Sequence, residues 1–98
     1  MITIIFNGQS SKAIELTGFN RSTTFENGAM NSMAYLNIVN TANTAGWLQE
    51  FGLAGITNLT IKDGNDVIYN LANLNARISS VNESLSGNEI AVSVNIEF

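Results

Sequence analysis

The C-terminal stretch of the chain alternates apolar and polar residues with a period of two. Its apolar positions are Ile90, Val92, Val94, Ile96 and Phe98, and small, polar or charged residues stand between them. Because successive side chains of a strand point to opposite faces, this alternation predicts a strand with one face in the core. The same period recurs elsewhere in the chain, so β-structure is the main constraint on the fold.

Turn sequences separate this strand from several others. The run 63–66 (Asp-Gly-Asn-Asp) stands between two β-rich segments and is typical of a tight hairpin. Gly-Asn or Asn-Gly pairs mark further turns at 7–8, 27–28 and 87–88. The apolar residues occupy even positions from Leu74 to Ile78 and odd positions at Val81 and Leu85. This change of phase predicts a β-bulge near Ser79 and Ser80. The predicted strands are 2–6, a run restarting at 14–16, a short edge strand within 19–25, and 33–39, 56–62, 67–71, 74–85 and 90–98.

One short helix is predicted at 44–51. Residues that commonly cap helices precede it, and Trp47, Leu48 and Phe51 then fall on one helical face. Gly52 and Gly55 are expected to end the helix. Trp47 is expected to pack the helix on the sheet, with ligand binding as the alternative.

These elements predict a single domain, 1–98, that is mainly β with one helix (α+β) and contains six or seven strands. Sequential hairpins favour antiparallel pairing, in either a two-layer sandwich or a curled sheet with the helix closing one end. The 33–39 strand is apolar on both faces, so it should lie centrally or be covered on each side. A doubly wound parallel fold is excluded by the single short helix.

The chain contains no His and no Cys. Ordinary Ser/His or Cys/His nucleophiles and imidazole or thiolate zinc sites are therefore excluded. The eight acids are spread singly over predicted turns and strand faces, whereas a glycosidase-type pair needs two acids that converge in a cleft. The 63–66 turn has oxygen ligands of the kind Ca²⁺ takes, but it lacks the rest of a binding loop. We therefore expect a protein that is not an enzyme and has no cofactor and no metal site.

The net charge of −4 rests on eight acids and four bases, so the surface is mostly neutral. Direct nucleic-acid binding is disfavoured because only four widely spaced cations are present. The apolar N-terminal residues, 1–6, lack a basic flank, and no stretch approaches the length of a membrane span. We expect no signal peptide and no membrane association.

Few charged residues guard the predicted strand edges, while Ser, Thr and fifteen Asn supply neutral hydrogen-bonding groups. Pairing of an edge with another chain is therefore a plausible function, either with copies of the same protein or with a foreign protein. Arg77 is expected to be exposed or to bind a carboxylate of a partner. The candidate partner-binding residues are Trp47, Glu50 and Phe51 in the helix region, Asp63, Asn65 and Asp66 at the hairpin tip, and Arg77.

The turn-rich pattern of 6–8, 26–28, 63–66 and 94–98 resembles that of small β-rich proteins encoded by tailed bacteriophages and prophages. The resemblance implies a virion component, such as a tail or head accessory protein. It equally implies a small anti-defence protein, like an anti-CRISPR inhibitor, that blocks a host nuclease. Either would act in the virion or in the host-cell cytoplasm. No functional residue is carried over from the resemblance.

Charge and composition favour assembly over inhibition. An inhibitor that mimics DNA needs dense carboxylates, which eight scattered acids supply poorly, whereas an assembly protein needs a self-complementary or strand-adding surface. A third interpretation, a carbohydrate-binding module, would need exposed aromatic residues such as Tyr35, Trp47 and Tyr69. Each of these three also has a packing explanation.

Overall fold

The computed structural model describes residues 1–98 as one seven-stranded antiparallel sheet with one α-helix. The strand order across the sheet is β5-β4-β1-β2-β3-β7-β6. The elements in chain order are β1 Ile2–Phe6, a 3-10 turn Ser10–Lys12, β2 Ile14–Glu26, β3 Ala29–Val39, α1 Thr44–Ala54, β4 Leu59–Asp63, β5 Asp66–Leu71, β6 Arg77–Ser86 and β7 Glu89–Glu97.

The sheet is curled, so the second of the two predicted architectures is the one adopted. Phe19 of β2 and Tyr69 of β5 have ring centroids 5.3 Å apart, although β1 and β4 lie between their strands. In a flat sheet these strands would be about 14 Å apart, since neighbouring strands are spaced by about 4.8 Å. Their contact shows that the concave face closes on itself.

The core lies on this concave face and under the helix. The predicted inward face of the last strand is confirmed, because Val92, Val94 and Ile96 are buried. From the helix, Phe51 packs edge-on against Phe6 with ring centroids 5.1 Å apart. The buried hydrophobic residues are Ile4, Ile5, Phe6, Ile14, Leu16, Ala34, Leu36, Ile38, Leu48, Phe51, Ile56, Leu59, Ile61, Ala76, Val92, Val94 and Ile96.

The helix is confirmed but ends one turn later than predicted. Gly52 lies within it, and only Gly55 ends it, with φ of 83° and an N–H that donates to the Phe51 carbonyl over 2.9 Å. Trp47 is half-buried against the core, as expected. The structure contains no helix with the length and apolar character needed to cross a lipid bilayer.

Residues 14–26 form one continuous strand rather than a short strand followed by a separate edge strand. A bulge between Leu16 and Gly18 inserts Thr17 and lets β2 continue along β3. A Cβ at Gly18 would lie 3.0 Å from the Asn37 side-chain amide, so a larger residue there would displace that side chain. Residues 19–25 pair with β3 only, so they have an open edge as predicted, although β2 as a whole lies between β1 and β3 in the sheet order.

The central strand β3 is buried on one face only. Ala34, Leu36 and Ile38 face the core, whereas Met33 and Tyr35 on the other face are 53% and 43% exposed. Its central place in the sheet is confirmed, but the second face is not covered. The hairpin at 63–66 and the bulge between Ile78 and Ser80 are also confirmed.

Asn7 connects β1 to the segment 55–58 between α1 and β4. It has a positive φ of 56° in the turn after β1. Its Oδ1 accepts hydrogen bonds from the N–H groups of Thr57, at 2.8 Å, and Asn58, at 3.3 Å. Its Nδ2 donates to the Gly55 carbonyl over 3.0 Å. These bonds fix the segment between α1 and β4 against β1.

Candidate functional site

The outer edge of β6 is an open strand edge at one end of the sheet. β6 is a terminal strand of the sheet and pairs only with β7. After the bulge at Ser79, its register with β7 is uninterrupted from Ser80 opposite Asn95 to Ser86 opposite Glu89. Residues 80–86, hereafter the β6 edge, are all exposed. Every second backbone N–H and C=O group along this edge is consequently available to another strand.

The β6 edge has little chemistry that would prevent such pairing. Proteins commonly guard open edges with Lys, Pro, bulges or inward-pointing charges. Within 80–86 there is no Lys and no Pro, and Glu83 is the single charged residue. The bulge between Ile78 and Ser80 interrupts only the start of the strand. The rest is a regular strand that offers hydroxyl, amide and apolar side chains.

One face of the β6 edge carries two apolar side chains, Val81 and Leu85, on either side of Glu83. Leu85 pairs directly with Ile90 of β7, and the two are 73% and 39% exposed. Val81, in the same phase of the strand, is 39% exposed. The opposite face carries Asn82 and Ser84. The edge therefore combines unpaired backbone with an uncovered apolar stripe, which a second strand and its side chains would bury.

The other terminal strand, β5, is a poorer pairing surface. It contains six residues, against ten in β6. Its register with β4 shifts between Ile61 and Lys62, so the bulge falls inside the strand pair. A shorter strand with a bulge inside it is typical of a protected edge.

The three helix residues predicted to contact a partner have different environments. Trp47 is half-buried against the core, and Glu50 is exposed and forms an ion pair with Lys12. Phe51 is 1% exposed and fills the core beside Phe6. The prediction for Phe51 is corrected accordingly, because its helical face turns toward the sheet and it presents no surface to a partner.

The predicted hairpin tip is exposed and lies at the other edge of the sheet. Asp63, Asn65 and Asp66 are all accessible at the β4–β5 turn. The Asp63 carboxylate lies 3.8 Å from the N-terminal amino group. The chain contains no group of three or more acidic side chains placed to hold a metal ion. The tip is consequently an accessible turn with one weak, exposed ion pair.

Arg77 stands at the start of β6 and binds a carboxylate of its own chain. Its Nη2 donates to Glu97 Oε2 over 2.9 Å, across the pair with β7, and its side chain is 74% exposed. The structure thus places Arg77 on the same strand as the β6 edge. It does not bring the predicted residues into one cluster, since the 63–66 turn and Arg77 belong to opposite edges of the sheet.

Sequence reasoning did not single out Val81, Leu85 and Ile90 as candidate partner contacts. A usable signal was present, because Glu83 shares the strand phase of Val81 and Leu85. A carboxylate in phase with apolar residues indicates a face that is not fully buried. No protein-family model, curated protein or solved structure matches this chain.

Proposed function

We propose that this protein is a non-enzymatic assembly subunit that associates with copies of itself through the β6 edge. The observation that carries the proposal is the regular, fully exposed run 80–86 with one charged residue. The backbone groups of this run would supply the hydrogen bonds of a new strand pair. The apolar stripe of Val81, Leu85 and Ile90 would supply buried area.

The charge at Glu83 restricts how two copies can pair. Like charges directly opposite each other in a strand pair are destabilising, so two β6 strands would adopt a register that keeps their Glu83 side chains apart. Pairing of β6 with β6 gives a closed two-fold dimer, whereas pairing of β6 with a different surface gives a ring or filament. The mass of the oligomer distinguishes these two arrangements.

The place of such a subunit in a phage particle, as a tail or head accessory protein, is part of this proposal. It is supported by the resemblance of the turn-rich sequence to small β-rich phage proteins. A low charge and a surface of hydroxyl and amide groups suit a subunit that packs against copies of itself.

Light scattering after size exclusion, over a series of concentrations, tests the proposal. We expect the wild-type protein to form a discrete oligomer. A variant carrying Asn82→Lys and Ser84→Lys should be folded and monomeric, because lysines on an edge oppose strand addition. A matched control carries Gln49→Lys and Leu53→Lys on the exposed side of α1, where no strand edge is present.

The control adds the same charge as the edge variant and should keep the wild-type mass. A wild-type protein that stays monomeric at every concentration contradicts self-assembly and favours binding of a foreign partner, such as a host nuclease. An oligomer that survives both lysines on β6 contradicts the β6 edge as its interface.

A further inference from the structure

A groove opens where β1 and β2 separate. The last residue pair between them is Thr3 with Glu15, after which β2 bulges and continues along β3 alone. The groove has a volume of about 510 Å³ and is mostly apolar, within the range of about 300–1,000 Å³ usual for small-molecule sites. Its principal lining side chains are Ile2, Phe19, Ile61, Ile68 and Tyr69, with Arg21 on one wall.

The Arg21 guanidinium has no carboxylate partner in the structure. The three ion pairs of the chain join the N-terminus with Asp63, Lys12 with Glu50, and Arg77 with Glu97. Arg21 donates instead to two neutral hydroxyls, Tyr69 Oη at 3.4 Å and Ser32 Oγ at 3.2 Å. It lies half-buried and forms no ion pair.

The surroundings of Arg21 hold its side chain in place. Its Cζ lies 5.0 Å from the centroid of the Phe98 ring, a cation–π distance. Its Nε is buried and has no hydrogen-bond partner, which costs free energy in an otherwise satisfied interior. The Tyr69 hydroxyl accepts a bond from Arg21, so its own proton remains free to donate to a ligand.

We propose that this groove binds a small organic acid. Its single carboxylate would pair with the Arg21 guanidinium, whose planar donors match carboxylate geometry, and would accept a bond from the Tyr69 hydroxyl. Its aliphatic or aromatic body would lie against Ile68 and the Phe19–Tyr69 pair. One cation in a mostly apolar groove compensates one negative charge, so a monocarboxylate fits better than a doubly charged phosphate.

This site is independent of the β6 edge. The groove lies between β2 and the β4–β5 hairpin, whereas β6 is separated from β2 by β3 and β7. Binding of an acid is therefore expected in the monomer and in the oligomer alike. A failure of either proposal leaves the other one standing.

The test is a titration of isotope-labelled protein with 4-phenylbutyrate, followed by amide chemical shifts, with uncharged 4-phenylbutyramide as the matched ligand. We expect the acid to shift amide signals of groove residues such as Phe19 and Ile68. Arg21→Gln should weaken its binding about tenfold or more, the size expected for lost charge-assisted hydrogen bonds. Arg77→Gln, which removes an exposed arginine that does not line the groove, should leave the affinity unchanged.

Three results of this titration would overturn the proposal. In the first, the acid shifts no amide signals of groove residues up to its solubility limit. In the second, the acid and the amide ligand bind equally well. In the third, Arg21→Gln binds the acid as tightly as the wild-type protein does. If Arg21→Gln does not fold, Arg21→Lys and Tyr69→Phe serve instead, and both must weaken binding of the acid. Tighter binding of a capped Glu-Val dipeptide than of the free acid would also overturn it, in favour of a protein side chain as the ligand.

Discussion

The closed region and the two open ribbons of this sheet have the same backbone pattern but different surroundings. In the closed region, β1, β4 and the C-terminal parts of β3 and β7 are covered by α1 and by the curl of the sheet. Two ribbons extend beyond their neighbouring strands. They are the β2–β3 ribbon, 22–31, and the β6–β7 ribbon, 83–91, and every residue in them is exposed.

The two ribbons show that strand pairs in this protein form even where neither strand packs against the core. Each ribbon is closed by a turn with a positive-φ glycine, Gly28 or Gly87, and remains paired to its tip. Apolar side chains at the tips contribute little to folding, since Phe25 is 77% and Leu85 73% exposed. Surface that the fold does not bury is the kind of surface a partner can use.

The comparison is tested most strongly by truncating one phenylalanine in each region. Phe51→Ala should lower the free energy of unfolding by about 3–5 kcal/mol, because it leaves a cavity beside Phe6. Phe25→Ala should change it by about 0.5 kcal/mol or less. Urea unfolding of both variants, below the concentration of self-association, measures the difference. Similar losses in the two variants would show that the ribbon is as tightly packed as the core.

Replacing the asparagine of one Asn-Gly turn in each region compares the two regions more finely. Asn7 and Asn27 both have positive φ, 56° and 51°, so replacement by alanine strains both turns alike. Only Asn7 also accepts and donates the bonds that join β1 to the segment 55–58. Asn7→Ala should therefore cost about 1–3 kcal/mol more than Asn27→Ala, the size expected for losing several hydrogen bonds to a partly buried segment. Equal losses in urea unfolding would contradict the connecting role of Asn7.

Replacing glycine by alanine should raise the stability of the protein in the helix and lower it in the ribbon. Gly52 lies inside α1 with open space around it, so Gly52→Ala should stabilise the protein by about 1 kcal/mol. Gly28 has φ of 78°, so Gly28→Ala should destabilise it by about 1–2 kcal/mol. Thermal unfolding of both variants provides the measurement, and a loss of stability in Gly52→Ala would contradict the helix end at Gly55.

The smallest effect is expected at the ion pair that begins β6. Arg77 and Glu97 are both accessible, and exposed pairs contribute about 0–1 kcal/mol. Arg77→Gln should therefore change stability by less than about 0.5 kcal/mol and leave the oligomer mass unaltered. A dissociated oligomer in this variant would place the interface at the start of β6 rather than along 80–86.

The alternation of apolar and polar residues and the turn sequences were sufficient to predict most strands and turns. They did not predict which strands lie next to each other in the sheet. The alternation from Ile90 to Phe98 and the Asp-Gly turn at 63–66 both specify strands from adjacent residues alone. The continuity of β2 depends on the bulge at Thr17, which is set by pairing with β3 across the sheet. The open edge of β6 depends on the strand order, and the order is set by long-range packing.

The most direct test of self-assembly is residue-resolved hydrogen exchange at low and high protein concentration. At low concentration, the amides of 80–86 that are not bonded to β7 should exchange rapidly, while those of β1 and β4 stay protected. At high concentration, the same β6 amides should become protected and those of the closed region should not change. Exchange along β6 that is equally fast at both concentrations, in a protein shown to be oligomeric, would contradict strand addition at this edge.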